Sequence, residues 1–267
     1  MDSLVNFIAE TNWNNNPKPD FVSTKQLLTF VCIPPERNEA THCVVYAVRL
    51  HGVKFLLKAN EDASKHPLVG AIFEHWLTKA TDKEPLDQSG CSRKVVFNAQ
   101  VPHGQNGESW NIMYSGQIDA YDTFAGNRRL YELKTNSGPI GNYFWKSKSC
   151  YMYWQSFFGK SYEIVIGKRS GQTGKVIKMK PSELVYQKDN NNSAQNDGNK
   201  NWSIGTGEDQ LKSFLGLVDA KLTKDGMCFV LEKHGSETQW KVRNDKKRTA
   251  EFYNFLKGKL EKSENPK

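Results

Sequence analysis

Between Met113 and Thr135 the chain reads MYSGQIDAYDTFAGNRRLYELKT, and this stretch constrains the fold most tightly. Trp110 to Ala120 reads as a β-strand that ends in Ile118-Asp119-Ala120, and Leu130 to Thr135 reads as a second strand. The turn between them is expected over Asp122 to Arg129, punctuated by Gly126-Asn127. Paired as a hairpin, the two strands bring Asp119 and Glu132 together near one end. Glu132 and Lys134 are two residues apart, so on a strand they share a face. Two carboxylates can hold a hard divalent cation, and a lysine beside them can stabilise a phosphate or help orient water.

That layout, Asp119 followed by Glu132-Leu133-Lys134, resembles the PD-(D/E)xK nucleases. Glu-x-Lys is a common tripeptide, so the rest of the chain has to support it. Glu74 lies in GAIFEHW, on a predicted helix over Asp62 to Thr78 that is broken at Pro67. Its apolar face runs through Leu68, Ile72, Phe73 and Trp76. A lone glutamate there is ordinarily a solvated helix carboxylate. Two-metal phosphoryl chemistry needs about three carboxylates, however, which makes Glu74 the most suitable third donor.

Gln155 sits in YMYWQSFF, within an aromatic-rich helix predicted over Tyr143 to Phe158. Helical spacing puts Lys148, Tyr151 and Gln155 on one stripe that suits a phosphate or the attacking water. Trp145, Tyr153, Trp154, Phe157 and Phe158 are expected to be core, with one or two left to line a nucleic-acid channel.

The remaining elements are mixed. Thr41–Leu50 and Val53–Lys58 predict a hairpin around His51-Gly52, and Val95–Val101 a strand. Tyr162–Lys168 with Lys175–Met179, and Met227–Lys233 with Thr238–Val242, predict two further hairpins. Helices are expected at Glu208–Leu222 and Lys246–Leu260. Residues 1–19 read as an extended lead-in, 189–205 as an Asn-rich mobile loop and 261–267 as a charged tail. With no regular βαβ alternation, the 267 residues are expected to form one mixed α/β, α+β-like domain.

The net charge of +8 favours a polyanionic partner, RNA or DNA before a membrane surface, although a solvated lysine surface gives the same charge. Five cysteines without CxxC spacing argue for reduced thiols and against a zinc module. The N-terminus has no continuous apolar run, and no segment approaches the ~20 apolar residues of a spanning helix. A soluble protein of the nucleus or cytoplasm is therefore expected. There is no GxSxG, Walker loop, GxGxxG or HExxH, and the histidines are scattered singly, which reads as structural rather than catalytic.

Taken together, GAIFEHW, SGQIDA, YELKT and WQSFFGK, in that order and rough spacing, resemble the DXO family of metal-dependent decapping enzymes and 5′-to-3′ exoribonucleases. The segment STKQLLTFVCIPPER resembles the family's N-terminal portion, so the likeness runs from about residue 20 to 170 and weakens beyond. The resemblance implies an α/β fold with twisted mixed sheets flanked by helices and a deep cleft for the RNA 5′ end. It implies Glu74, Asp119, Glu132 and the Leu133 carbonyl as ligands of Mg²⁺ or Mn²⁺, two ions in all. Lys134 and Gln155 would contact the scissile phosphate or the nucleophilic water. Lys146, Lys148, Tyr151, Lys168 and Arg169 are the expected RNA contacts. Substrates would be triphosphorylated, incompletely capped, NAD-capped and 5′-monophosphate RNAs, with a nuclease as a candidate protein partner.

Two departures stand out. The family motif carries a glutamate where this chain has Gln117, an amide that keeps the shape but cannot act as a base near neutral pH. The family also carries an arginine shortly before a Thr-Lys pair, and the residues before Thr24-Lys25 include none. A rival reading is therefore a catalytically weakened relative that binds RNA 5′ ends or a nuclease partner.

Overall fold

Among the described residues eleven strands pair, and they do so in two sheets. A computed structural model of the chain describes residues 2–10, 17–34, 42–59, 68–79, 94–104, 106–141, 143–170, 173–185, 202–234 and 237–264. These fall into two compact units, one of residues 1–60, 95–116 and 207–267, the other of residues 61–94 and 117–206.

The first unit holds helices α1 (Asp2–Glu10), α2 (Lys25–Cys32), α5 (Ile204–Lys221, from Gly207 onward) and α6 (Lys246–Glu264). Its sheet contains β1 (Phe21–Thr24), β2 (His42–Leu50), β3 (Val53–Lys58), β4 (Lys94–Pro102), β5 (Ser109–Gln117), β10 (Cys228–His234) and β11 (Lys241–Arg243). Their order is β11-β10-β2-β3-β1-β5-β4, with β1 parallel to both β3 and β5. The β2–β3 turn is the expected one: His51 and Gly52 both have positive φ, 51° and 82°, as a tight hairpin turn demands. Thr24 caps α2, its hydroxyl accepting from the Leu27 amide at 3.3 Å.

Residues 1–19 are not simply an extended lead-in. Ile8 lies one helical turn after Leu4 and Val5 on α1, and all three are buried in a cluster with Phe252, Leu256 and Leu260 of α6. The chain's two ends thus share one hydrophobic cluster with Val22, Val48 and Phe55 of the sheet. The expected charged tail is likewise helical as far as Glu264, because α6 continues past Leu260.

The second unit holds α3 (Leu68–Thr78), β6 (Ala120–Phe124), β7 (Asn127–Asn136), α4 (Ser149–Phe158), β8 (Ser161–Ser170) and β9 (Thr173–Met179). The strand order is β6-β7-β8-β9. β6 and β9 run antiparallel to their neighbours, while β7 and β8 are parallel and need the crossover that α4 supplies. The predicted strand Trp110–Ala120 and its turn are corrected here. β5 stops at Gln117 in the seven-stranded sheet, and the hairpin is β6–β7, turning at Ala125 and Gly126 with φ of 50° and 77°. Asp122 and Arg129, expected in the turn, are instead cross-strand partners joined by two hydrogen bonds of 2.8 and 2.5 Å.

The predicted helix over Tyr143–Phe158 begins as a π-helical turn, Phe144–Lys148, before α4. Ser149, fully buried, joins the two: its Oγ donates to the Trp145 carbonyl at 2.7 Å and accepts from the Trp202 indole at 2.9 Å. Most of the loop expected at 189–205 lies outside the described residues, but its end is fixed by buried Trp202, and α5 starts at Ile204. Trp154, Phe158 and Tyr153 are core as expected, whereas Phe157 is 49 % exposed. Among the described residues no helix is long and apolar enough to cross a membrane.

Because Leu256 is fully buried where α6 meets α1, Leu256→Ala should cost about 2–5 kcal/mol of stability. Urea denaturation of the variant beside the parent chain measures it.

Candidate active site

β7 is twice as long as β6. The pairing ends with Ala120 opposite Tyr131, so from Glu132 onward β7 has a strand neighbour, β8, on one side only. On the open side the Leu133 amide donates to Asp119 Oδ2 at 2.9 Å, and this carboxylate takes the place of a missing strand. The carbonyl of a strand residue projects to the same side as its N–H, so the Leu133 oxygen faces the same opening. Leu133 itself is 3 % exposed.

Glu132 is 2 % exposed, and its burial is sustained by Lys134 two residues on. The Lys134 ammonium lies 2.5 Å from Glu132 Oε1 and 3.6 Å from Asp119 Oδ2. Burial acts most strongly on Lys134 and opposes its charge, but Glu132 and Asp119 together outweigh it and hold the ammonium above its ordinary pKa.

Glu74 comes from α3, which packs on β7. Its pKa is raised, first by burial and next by the negative charge of Asp119, with Glu132 adding to this and Lys134 opposing it. The three carboxylates and the lysine thus share one electrostatic neighbourhood. Among these four groups two negative charges are in excess, the complement of one divalent cation, and the donors are hard oxygens suited to Mg²⁺ or Mn²⁺. The residues present fit such an ion.

The anchor of α3 is Phe73. Its ring lies so flat on Gly167 of β8 that a Cβ there would sit 2.5 Å from it. Trp76, expected on the buried face, is instead 60 % exposed.

Helix α4 supplies the opposite wall. At Gly159, which follows its last turn, a Cβ would come within 2.9 Å of the Gln155 carbonyl and 3.6 Å of Glu132 Oε2. Gln155 and Tyr151 lie one and two turns earlier on the same stripe. The Tyr151 ring is 44 % exposed, yet its hydroxyl end is sunk toward the site. Its pKa is raised by burial, with Lys134 lowering it and Glu132 raising it. Gln155 Oε1 is buried without a hydrogen-bond partner among the described residues, a polar atom available to a ligand.

The expected RNA contacts are more scattered. Lys148 donates to Asn136 Oδ1 at 2.6 Å, and Asn136 in turn donates to the Gly138 carbonyl at 2.8 Å, so this ammonium orders the chain after β7. Lys168 lies beside Asn136 across the β7–β8 pairing. The side chains of Lys146 and Arg169 lie outside the described part of the structure. Gln117 is exposed at the end of β5.

Gly159, Gly167 and Asn136 escaped the sequence reading. A glycine within the strand EIVIGK does signal a close approach, but its partner, Phe73, lies far away in sequence.

Asp119 just ahead of β6 and Glu132-x-Lys134 on β7, with Glu74 supplied by helix α3, form the core arrangement of PD-(D/E)XK nucleases. A family model described as "RAI1 like PD-(D/E)XK nuclease" matches residues 1–261. The chain belongs to this RAI1-like family.

Among curated proteins, the decapping nuclease dom-3 of Caenorhabditis elegans is 25 % identical over 237 residues, which is 80 % of this chain and 56 % of that protein. The chain thus spans little more than half the length of this relative. The fold is shared with Candida albicans Rai1, solved in complex with pU5-Mn²⁺. That likeness has 15 % identity and a TM-score of 0.72, and covers 97 % of this chain and 80 % of the other. Kluyveromyces lactis (K. lactis) Dxo1 in complex with manganese matches with 16 % identity and a TM-score of 0.57, over 88 % of this chain and 69 % of its own.

Gly167→Ala should push Phe73, and with it α3 and Glu74, out of place. The expected cost is about 1–3 kcal/mol in stability and roughly 10²-fold in activity of the site. Adding Phe73→Leu should recover much of both. Urea melts and rate measurements on the single and double variants test the contact.

Proposed function

We propose that this chain is a divalent-metal-dependent hydrolase of RNA 5′ ends. The observation that carries the reading is the cluster of Glu74, Asp119, Glu132 and Lys134 in one electrostatic neighbourhood. Membership of the RAI1-like family supports it, as do a worm relative that is a decapping nuclease and a yeast relative solved with pU5-Mn²⁺.

Glu74, Asp119, Glu132 and the Leu133 carbonyl would hold Mg²⁺ or Mn²⁺. When bound there, such a cation would supply Lewis-acid polarisation of a phosphate and a lowered pKa for water. The chain's own groups do the rest. The Leu133 amide fixes the Asp119 carboxylate in direction. Lys134, held charged between Glu132 and Asp119, meets the negative charge that develops on the phosphate. Gln155 offers its buried amide oxygen to the attacking water, and the Tyr151 hydroxyl borders the same space. Lys168 lies beyond them on β8, where it can track an RNA backbone. Gln117 can orient a water but cannot take its proton near neutral pH.

Purified chain incubated with 5′-triphosphate, NAD-capped and 5′-monophosphate RNA should release product with Mn²⁺ and none with EDTA. Lys134→Ala should lower the rate by roughly 10²–10³-fold. Gln117→Glu should raise the rate if a base is what the site lacks. If RNA binds but no product forms, and Gln117→Glu adds nothing, the enzymatic reading fails. The weakened, RNA-binding relative would then stand in its place.

A further inference from the structure

The first unit brings together two histidines that are far apart in sequence. His42 opens β2 and His234 closes β10, and the antiparallel register sets them directly opposite each other. Their imidazoles stack with centroids 4.0 Å apart and ring planes within 7°. Glu232 lies two residues before His234 on the same strand, so it projects from the same face. One ligand atom from each of the three residues lies within 4.8 Å of the other two.

We propose that His42, Glu232 and His234 form a second metal site, for a borderline transition cation of the Zn²⁺ class. Two imidazoles and a carboxylate suit Zn²⁺, and they differ in kind from the all-oxygen donors around Asp119. Bonds of about 2.1 Å to a tetrahedral ion place donor atoms some 3.4 Å apart, so to close the set the two imidazoles must turn out of their parallel stack until both ring planes meet at the ion.

Two features of the surroundings favour a ligand. His42 Nε2 is buried and has no hydrogen-bond partner among the described residues, an arrangement that costs stability unless something binds it. Glu232 is 9 % exposed, and its Oε2 is ion-paired with Arg243 Nε at 2.6 Å. That ion pair holds the carboxylate while leaving its second oxygen for the ion. The thiol of neighbouring Cys43 is buried on the other face of β2 and does not take part. With three protein donors, the fourth position falls to water. Such an ion would clasp the ends of β2 and β10, neighbouring strands in the sheet.

The test uses the full chain carrying Glu74→Gln, Asp119→Asn and Glu132→Gln, which removes the three nuclease-site carboxylates, after treatment with EDTA. On this background Zn²⁺ should bind at one equivalent and raise the melting temperature, and Co²⁺ should give the visible absorption of a four-coordinate ion with imidazole ligands. Mg²⁺ should do neither. His42→Gln and His234→Ala, each added to the same background, should weaken Zn²⁺ binding by roughly 100-fold or more. Their metal-free urea midpoints should stay close to the parent's. Absence of a Zn²⁺-dependent shift in the parent background overturns the proposal. So does Zn²⁺ affinity that is unchanged in both histidine variants.

Discussion

The candidate site depends on one hydrogen bond that stands in for a strand. β7 continues past the end of β6, and an uncovered strand edge must find partners for its N–H and C=O groups. Asp119 meets that need by accepting from the Leu133 amide at 2.9 Å. The same requirement fixes the rest of the constellation. It aims the Leu133 carbonyl into the opening, and it keeps a carboxylate beside a strand whose next inward side chains are Glu132 and Lys134. Backbone hydrogen-bond completion and the geometry of the candidate site are therefore one arrangement.

The remaining parts are set by packing against that strand pair. α3 is seated by an aromatic ring on the bare backbone of Gly167, and α4 approaches Glu132 through the bare backbone of Gly159. Both positions use glycine for space: at each, an added methyl would meet a neighbour at less than 3.0 Å. Neither glycine carries chemistry. Gly167 decides how closely α3 seats on β8, whereas at Gly159 the tight contact is with α4's own Gln155 carbonyl and Glu132 lies at ordinary van der Waals distance.

Much of this was legible in the sequence, for identifiable reasons. Period-two alternation placed Glu132 and Lys134 on one face and needed no tertiary information. Glu74 and Gln155 were less secure from periodicity alone, and their weight came from four motifs falling in a familiar order. The hairpin boundary was misread because Asp122, Arg128 and Arg129 look like loop residues, whereas cross-strand ion pairing makes Asp122 and Arg129 good strand neighbours. α1 was obscured by the Asn/Pro-rich segment after it, although Leu4, Val5 and Ile8 carry the helical spacing. The meeting of His42 with His234 was not legible at all. It depends on which strands pair across the seven-stranded sheet, and local pattern does not encode that.

The π-helical turn at Phe144–Lys148 has a consequence of a different kind. A π-turn holds one more residue than the α-turn it replaces, so a deletion there would regularise the helix rather than break it. Each residue of an α-helix accounts for roughly 100° of rotation, so the same deletion would swing everything before it around the axis relative to α4. With the deletion among Trp145 to Ser147, buried Phe144 would lose its place while Lys148, Tyr151 and Gln155 stayed where they are. In this segment the number of residues is under tighter constraint than their identity, and comparison of its length between related chains would reveal that constraint where comparison of its letters would not.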